Sequence, residues 1–164
     1  MGEFEAFFHG EYPRLVRVLM LTGASLDEAM DVAQDTFIDA YSKWDMLKAP
    51  SAWVRRVAFR GFFKQRERTR RGVEIASQSL TLGLDIEQSA EQAVLGHEEE
   101  GRVSRLLDEL PPTQRMVLAL RFDGLSTKEI SDLLGKSPEA IRKNLQLARQ
   151  RLKELTKANE SGRR

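Results

Sequence analysis

The chain has 164 residues, room for one domain or two small ones, and 41% of them are hydrophobic, enough to build cores and to exclude wholesale disorder. It has no cysteine, which excludes a disulfide framework, a thiolate zinc site and a thiol nucleophile. The net charge of +1 conceals strong segregation. Asp27 to Asp45 holds six acidic residues against Lys43, a net of −5, and Arg55 to Arg71 holds eight basic residues against Glu67, a net of +7. Gly72 to Glu100 carries seven acids and no Lys or Arg, and the remainder carries fourteen basic residues against eight acidic ones, a net of +6. Such blocks speak to partners rather than to fold, and imply more than one partner surface.

The opening MGEFEAFF is acidic and has no basic n-region, so it does not read as a secretory signal; Ala6 also breaks the myristoylation pattern. No apolar run approaches the roughly 20 residues of a membrane span. A cytoplasmic protein with no membrane contact of its own is the simplest expectation. Phe4, Phe7, Phe8, Leu15, Val16 and Leu19 recur at helical steps, with Pro13 expected to open a second helix and Gly23 to end it. Ser25 reads as the N-cap of a helix that buries Leu26, Ala29, Val32, Ala33, Phe37, Ala40 and Tyr41. After the punctuation of Pro50 and Ser51, Trp53, Val54, Val57, Ala58, Gly61 and Phe62 form the stripe of a third helix.

Residues 72–100 lose this periodicity and read as an acidic, flexible linker whose latter part becomes helical. Its Leu80, Leu82, Leu84 and Ile86 are many for an inert spacer. Beyond it, Ser126 and Glu129 spell a capping box, Ile130, Leu133 and Leu134 give an apolar face, and Gly135 sits at the αL position. Ser137 is a fresh N-cap with Pro138 at the first helical position, and Ile141, Leu145, Ala148, Leu152 and Leu155 line a longer helix. Two helices across a tight glycine turn make a helix-turn-helix, whose second helix enters the major groove. The outward face of that helix offers Glu139, Arg142, Lys143, Gln146, Arg149 and Gln150. Arg and Lys reach guanine or phosphate, and Gln pairs with adenine. The expected fold class is all-α: a helical bundle over 1–71, the acidic linker over 72–100 and a helix-turn-helix domain over 101–164.

The third helix combines charge with aromatic rings. Arg56, Arg60, Lys64 and Arg66 suit a phosphate backbone. Phe59 and Phe63, one turn apart, either stack on unpaired bases or pack on the first helices. On the acidic helix, Asp31, Gln34, Asp35 and Asp39 face away from the apolar stripe, either as a solvated face or as the dock for a basic protein.

The stretches "DEAMDVAQDTFIDAY", "SAWVRRVA" and "LDELPPTQRMVLALRFDGLSTKEISDLLGKSPEAIRKNLQLARQRL" together resemble the extracytoplasmic-function (ECF) sigma factors, minimal two-domain members of the primary-type bacterial sigma family. The resemblance covers residues from about Phe4 to Arg71 and from about Arg102 to Leu155. It implies a transcription initiation factor. Asp31, Gln34, Asp35 and Asp39 would dock on the β′ clamp helices of core RNA polymerase, with the β subunit a further contact. The stretch carrying Lys48, Ser51, Arg56, Phe59, Arg60, Phe63, Lys64 and Arg66 would melt and hold the −10 promoter element. Ser126, Thr127, Lys128, Ser137, Glu139, Arg142, Lys143, Gln146 and Arg149 would read the −35 element as duplex. The linker would thread toward the polymerase channels, and a cognate anti-sigma factor is a further implied partner. The chain departs from the family pattern at Arg60 and Lys64, where many members have Asn and often Asp, and at Asn144 and Leu147, where Arg or Lys is common. Glu139 either favours the helix N-terminus or accepts from a cytosine amino group.

Enzymatic chemistry finds no support. His9 and His97 lie far apart without clustered ligands, and no phosphate-binding glycine loop or nucleophile motif is present, so no catalytic residue, metal, cofactor or small-molecule substrate is expected. The alternative reading is a stand-alone helix-turn-helix regulator that binds DNA without polymerase, usually as a dimer.

Overall fold

In the computed structural model, residues 2–79 and 98–162 are described, apart from the side chains of 73–79 and 98–100. They form seven α-helices: α1 Gly2–Leu21, α2 Leu26–Ser42, α3 Pro50–Ser79, α4 Glu98–Asp108, α5 Pro112–Phe122, α6 Thr127–Leu134 and α7 Pro138–Ser161, with a 3₁₀ turn at Trp44–Met46. No strand occurs among the described residues, so the all-α expectation holds. The expectations about Leu80, Leu82, Leu84 and Ile86 fall outside these residues.

Helix α1 does not restart at Pro13 but runs through it. The missing N–H costs one bond of the ladder, and the helix is held on both sides of it. Leu15, Val16, Val18 and Leu19 are buried below, while Phe4, Phe7 and Phe8 pack above. Phe8 meets Phe37 of α2 edge-on with ring centroids 5.2 Å apart, and Phe4 meets Trp44 at 5.1 Å. Gly23, at φ 115°, makes the turn into α2. There Ser25 Oγ accepts from the Glu28 N–H, and the Glu28 carboxylate accepts from the Ser25 N–H. Ala29, Ala33, Phe37 and Ala40 are buried as the stripe requires; Tyr41 is instead exposed, although its ring still meets Phe4.

Helix α3 spans 30 residues, about 45 Å at 1.5 Å per residue. Pro50 is its first residue rather than a break ahead of it. It does not stop at Arg71: with no proline between Ser51 and Ser79, the single Gly72 is tolerated and the first eight residues assigned to the linker are helical. Val54, Ala58, Phe59 and Phe62 are its buried positions, so the buried face includes Phe59 and leaves Gly61 outside.

In the C-terminal half the local grammar holds. Ser126 Oγ accepts from the Glu129 N–H while the Glu129 carboxylate accepts from the Ser126 N–H at 2.7 Å. Gly135 is left-handed at φ 64°, and Ser137 Oγ accepts from the Ala140 N–H. Val117, Leu120, Ile130, Ile141 and Leu145 close the core among α5, α6 and α7, and that core is continuous with the one formed by α1, α2 and α3.

The two halves meet along α5, which lies against α1 in the opposite direction. At one end Arg115 donates from Nε to the Leu21 carbonyl at 2.8 Å and from Nη2 to that of Met20 at 3.2 Å. At the other, Asp123 lies 3.4 Å from the Arg14 guanidinium and 3.0 Å from that of Arg55.

Candidate nucleic-acid interface

Helix α7 is fixed along its N-terminal half. Ser137 caps its start, and Ile141, Leu145 and Ala148 anchor one side in the core. The opposite side is therefore presented to solvent. Arg142, Lys143, Gln146 and Arg149 are all exposed there, with Glu139 3.8 Å from Arg142 across one turn. Lys128 is exposed on α6, and Thr127 is half-buried. Of the residues expected to read duplex DNA, Thr127, Arg142, Gln146 and Arg149 come together around one open cleft, joined by Arg121 and Leu145. Arg121 was not foreseen, because it lies outside the two helices of the motif; its guanidinium donates to the Leu125 carbonyl at 2.9 Å and is thereby aimed. A cleft with three guanidiniums and no acid among these lining residues suits a polyanion.

Ser126 and Ser137 contribute differently. Their hydroxyl oxygens each accept a cap hydrogen bond, which fixes the side chain and leaves its proton and a second lone pair for an outside partner. Glu129 has its carboxyl pulled below the ordinary glutamate range, first by the Ser126 backbone N–H and then by the Ser126 side chain. Asn144 is half-buried and donates from Nδ2 to the Ala140 carbonyl at 2.8 Å, so its amide faces its own helix. Leu147 is exposed.

On α3 the expected strand-holding residues divide. Arg56, Arg60 and Lys64 are exposed at steps of four, one continuous basic edge, and Lys48 is exposed just before the helix. Ser51 is half-buried. Phe59 is a correction: its ring is 0% exposed, stacked at 6.1 Å on Phe63, and has no face for a base. Phe63 is half-buried and keeps some surface; Trp53, also half-buried, has Lys43 over its ring at 5.6 Å. Arg66 is exposed as well, but it is tied to the α1–α2 turn. Its guanidinium donates to the Gly23 carbonyl, lies 3.6 Å from Glu28 and sits over the Phe62 ring at 5.1 Å.

On α2, Asp31, Gln34, Asp35 and Asp39 are exposed along one face. Ile38 and Met30 are exposed on the same helix, large apolar groups that the charge pattern had hidden. An acidic face that also exposes apolar side chains repels a phosphate backbone and has the chemistry to suit a protein partner.

The sequence of residues 100–152 matches the family model "Sigma-70, region 4", a span that holds α5, α6 and α7 as far as residue 152. Over those residues the chain is similar to sigma-70 region 4, and its relatives are RNA polymerase sigma factors. The chain is 27% identical over 156 residues to "RNA polymerase sigma-E factor" of Streptomyces avermitilis, a match covering 93% of the chain and 84% of the relative. It is also 27% identical over 126 residues to "Probable RNA polymerase sigma factor RfaY" of Xanthomonas campestris pv. campestris. That match covers 73% of the chain but spans only 32% of the relative's length. Its fold is shared with the sigma factor RpoE from Bartonella quintana, solved with the anti-sigma factor NepR: TM-score 0.66 at 22% identity, covering 96% of this chain and 98% of that one. CnrH, solved with the cytosolic domain of CnrY, gives 0.58 at 24%, covering 94% and 88%. Among the described residues no helix is long and apolar enough to cross a membrane.

Proposed function

We propose that this chain is a sigma factor that binds core RNA polymerase and directs it to promoters by reading a −35 element as duplex and melting a −10 element. The observation that carries this reading is the region 4 match lying on a helix-turn-helix whose outer face is basic and open, at Arg142, Lys143, Gln146 and Arg149. These side chains, with Thr127, Lys128 and Arg121 beside them and Glu139 at the start of α7, read or hold the −35 duplex. Ser126 and Ser137 act through the caps and through what their hydroxyls have left to donate and accept. Arg56, Arg60, Lys64 and Lys48 hold the backbone of the melted −10 strand, with Phe63 the available stacking ring and Ser51 at the helix start. Asp31, Gln34, Asp35 and Asp39 dock on the polymerase clamp, with Ile38 supplying apolar area. A cognate anti-sigma factor, such as the solved relatives carry, is the expected inhibitor.

The test is transcription in vitro with purified core polymerase on a fragmented genomic library. RNA 5′ ends that appear only with the protein and share two upstream motifs are expected. Duplex binding with no co-elution with core and no new 5′ ends would instead leave a stand-alone regulator.

A further inference from the structure

The outer side of α7 carries one group that its charge does not explain. Leu147 is 40% exposed, a large apolar side chain on a helix whose solvent side offers Arg142, Lys143, Gln146, Arg149 and Gln150. A single exposed leucine on a protein surface is ordinary. This one stands among side chains that suit a polyanion. At about 3.6 residues per turn it lies about 40° around the axis from Lys143 and about 60° from Gln150, on the same side of both. An apolar protein surface laid over such a face would strip the cations of water and return no partner. A hydrated, anionic duplex would not, because its interfaces with protein are polar and wet.

The two flanks of the helix differ. On one, Arg142, Gln146 and Arg149 line the cleft with Arg121 and Thr127, a surface for phosphate oxygens. On the other, the polar side chains one turn either side of Leu147 are turned to protein acceptors. Asn144 donates from Nδ2 to the Ala140 carbonyl at 2.8 Å, and Arg151 donates from Nε to the Glu109 carbonyl at 3.4 Å. Leu147 stands between them and can neither donate nor accept. Phosphate contacts set the register of a helix on the duplex, while contacts with base edges carry the sequence. Thymine alone presents a methyl group in the major groove. Cytosine presents an amino group there, and adenine and guanine present N7 beside an amino or a carbonyl group. Against Leu147 each of those atoms would lose a water and gain no partner, whereas the methyl gains an apolar contact.

We propose that Leu147 is a specificity-determining residue of α7, which reads one thymine of the duplex through its 5-methyl group. The inference deepens the function proposed above and rests on the part of it that sets α7 in a major groove; it does not need the polymerase. The cationic flank holds the backbone of the duplex, and the Leu147 flank selects a base by its apolar edge.

The test uses the full-length chain, with and without core polymerase, on duplexes selected from a random pool. Each thymine of the selected motif is replaced in turn by deoxyuridine, which removes the 5-methyl and nothing else. One position is expected to lose about fourfold in affinity, the contribution of one buried methyl. Leu147→Ala, at an exposed helical position that alanine suits, should lose about fourfold on the thymine duplex and nothing further on the deoxyuridine one. Leu147→Arg should also erase the methyl dependence, and should steepen the salt slope by about one through a new phosphate contact. A motif without a methyl-sensitive thymine, or one whose sensitivity survives both substitutions, overturns the inference. So does an unchanged salt slope in Leu147→Arg, because that flank then lies off the DNA. Failure to bind core polymerase sinks the function proposed above, while the deoxyuridine series on the chain alone still decides Leu147. A chain that selects no duplex in either condition overturns both.

Discussion

Phe59 separates two accounts of the basic helix. Its ring is fully buried beneath α1 and α2 and stacked on Phe63, so Phe59→Ala removes a core aromatic and leaves a cavity. Such truncations cost about 3–5 kcal/mol. In a chain of this size each kcal/mol lowers the melting temperature by about 2–4 °C, so a fall of about 6–20 °C is expected. The competing account makes the ring a stacking platform, whose loss costs about 1–3 kcal/mol of single-strand affinity and little stability. Thermal melting by circular dichroism and anisotropy of a labelled single-stranded oligonucleotide, on the same preparations, distinguish the two. Phe63→Ala is the companion, since a half-buried ring should lose less stability and more affinity. A Phe59→Ala protein that melts with the wild type yet releases single-stranded DNA would refute the packing argument.

Three further outcomes rest on the same geometry. Glu129 has a lowered carboxyl in the folded chain, so its contribution is complete above the ordinary glutamate range and is lost as pH falls through that range toward the folded value. Ser126→Ala should cost about 1 kcal/mol at neutral pH and only partly flatten that acid limb, because the backbone N–H that lowers the carboxyl most remains, as read by urea denaturation at several pH values. Arg142→Ala should cost about 1–3 kcal/mol on the preferred −35 duplex if the side chain pairs bidentately with a base. Equal loss on every sequence, with the salt slope reduced by about one, would make it a phosphate contact. Asp35→Arg should weaken co-elution with core polymerase and leave duplex affinity intact; equal loss of both would point to unfolding.

Features carried by neighbours in sequence were legible. The caps at Ser25, Ser126 and Ser137 and the left-handed Gly135 each depend on residues within one turn, and all four stand where the pattern puts them. Helix α1 defeated the pattern because an aromatic cluster from α2 and the 3₁₀ turn outweighs the bond lost at Pro13. Phe59 defeated it because a stripe gives the centre of a buried face but not its width. That width is set by α3 lying against both α1 and α2, which buries the flank at Phe59 and not the one at Gly61. Arg66 looked like one more cation in a basic run, and only the return of the chain at Gly23 gives it an acceptor 43 residues away. Arg121 and Asp123 flank an exposed Phe122 at the end of one helix, yet one lines the cleft and the other faces Arg14 and Arg55. No spacing rule separates them.

The apolar core that runs without a break from Leu15 and Leu19 through Val117 and Leu120 to Ile141 also governs how the molecule comes apart. With one shared interior, the closed chain should melt in a single calorimetric transition, each half lending the other its cooperativity. Once the halves separate, each keeps only its own small interior, and two broader transitions at lower temperature should replace the one. Any treatment that parts the halves should therefore also open both to proteolysis.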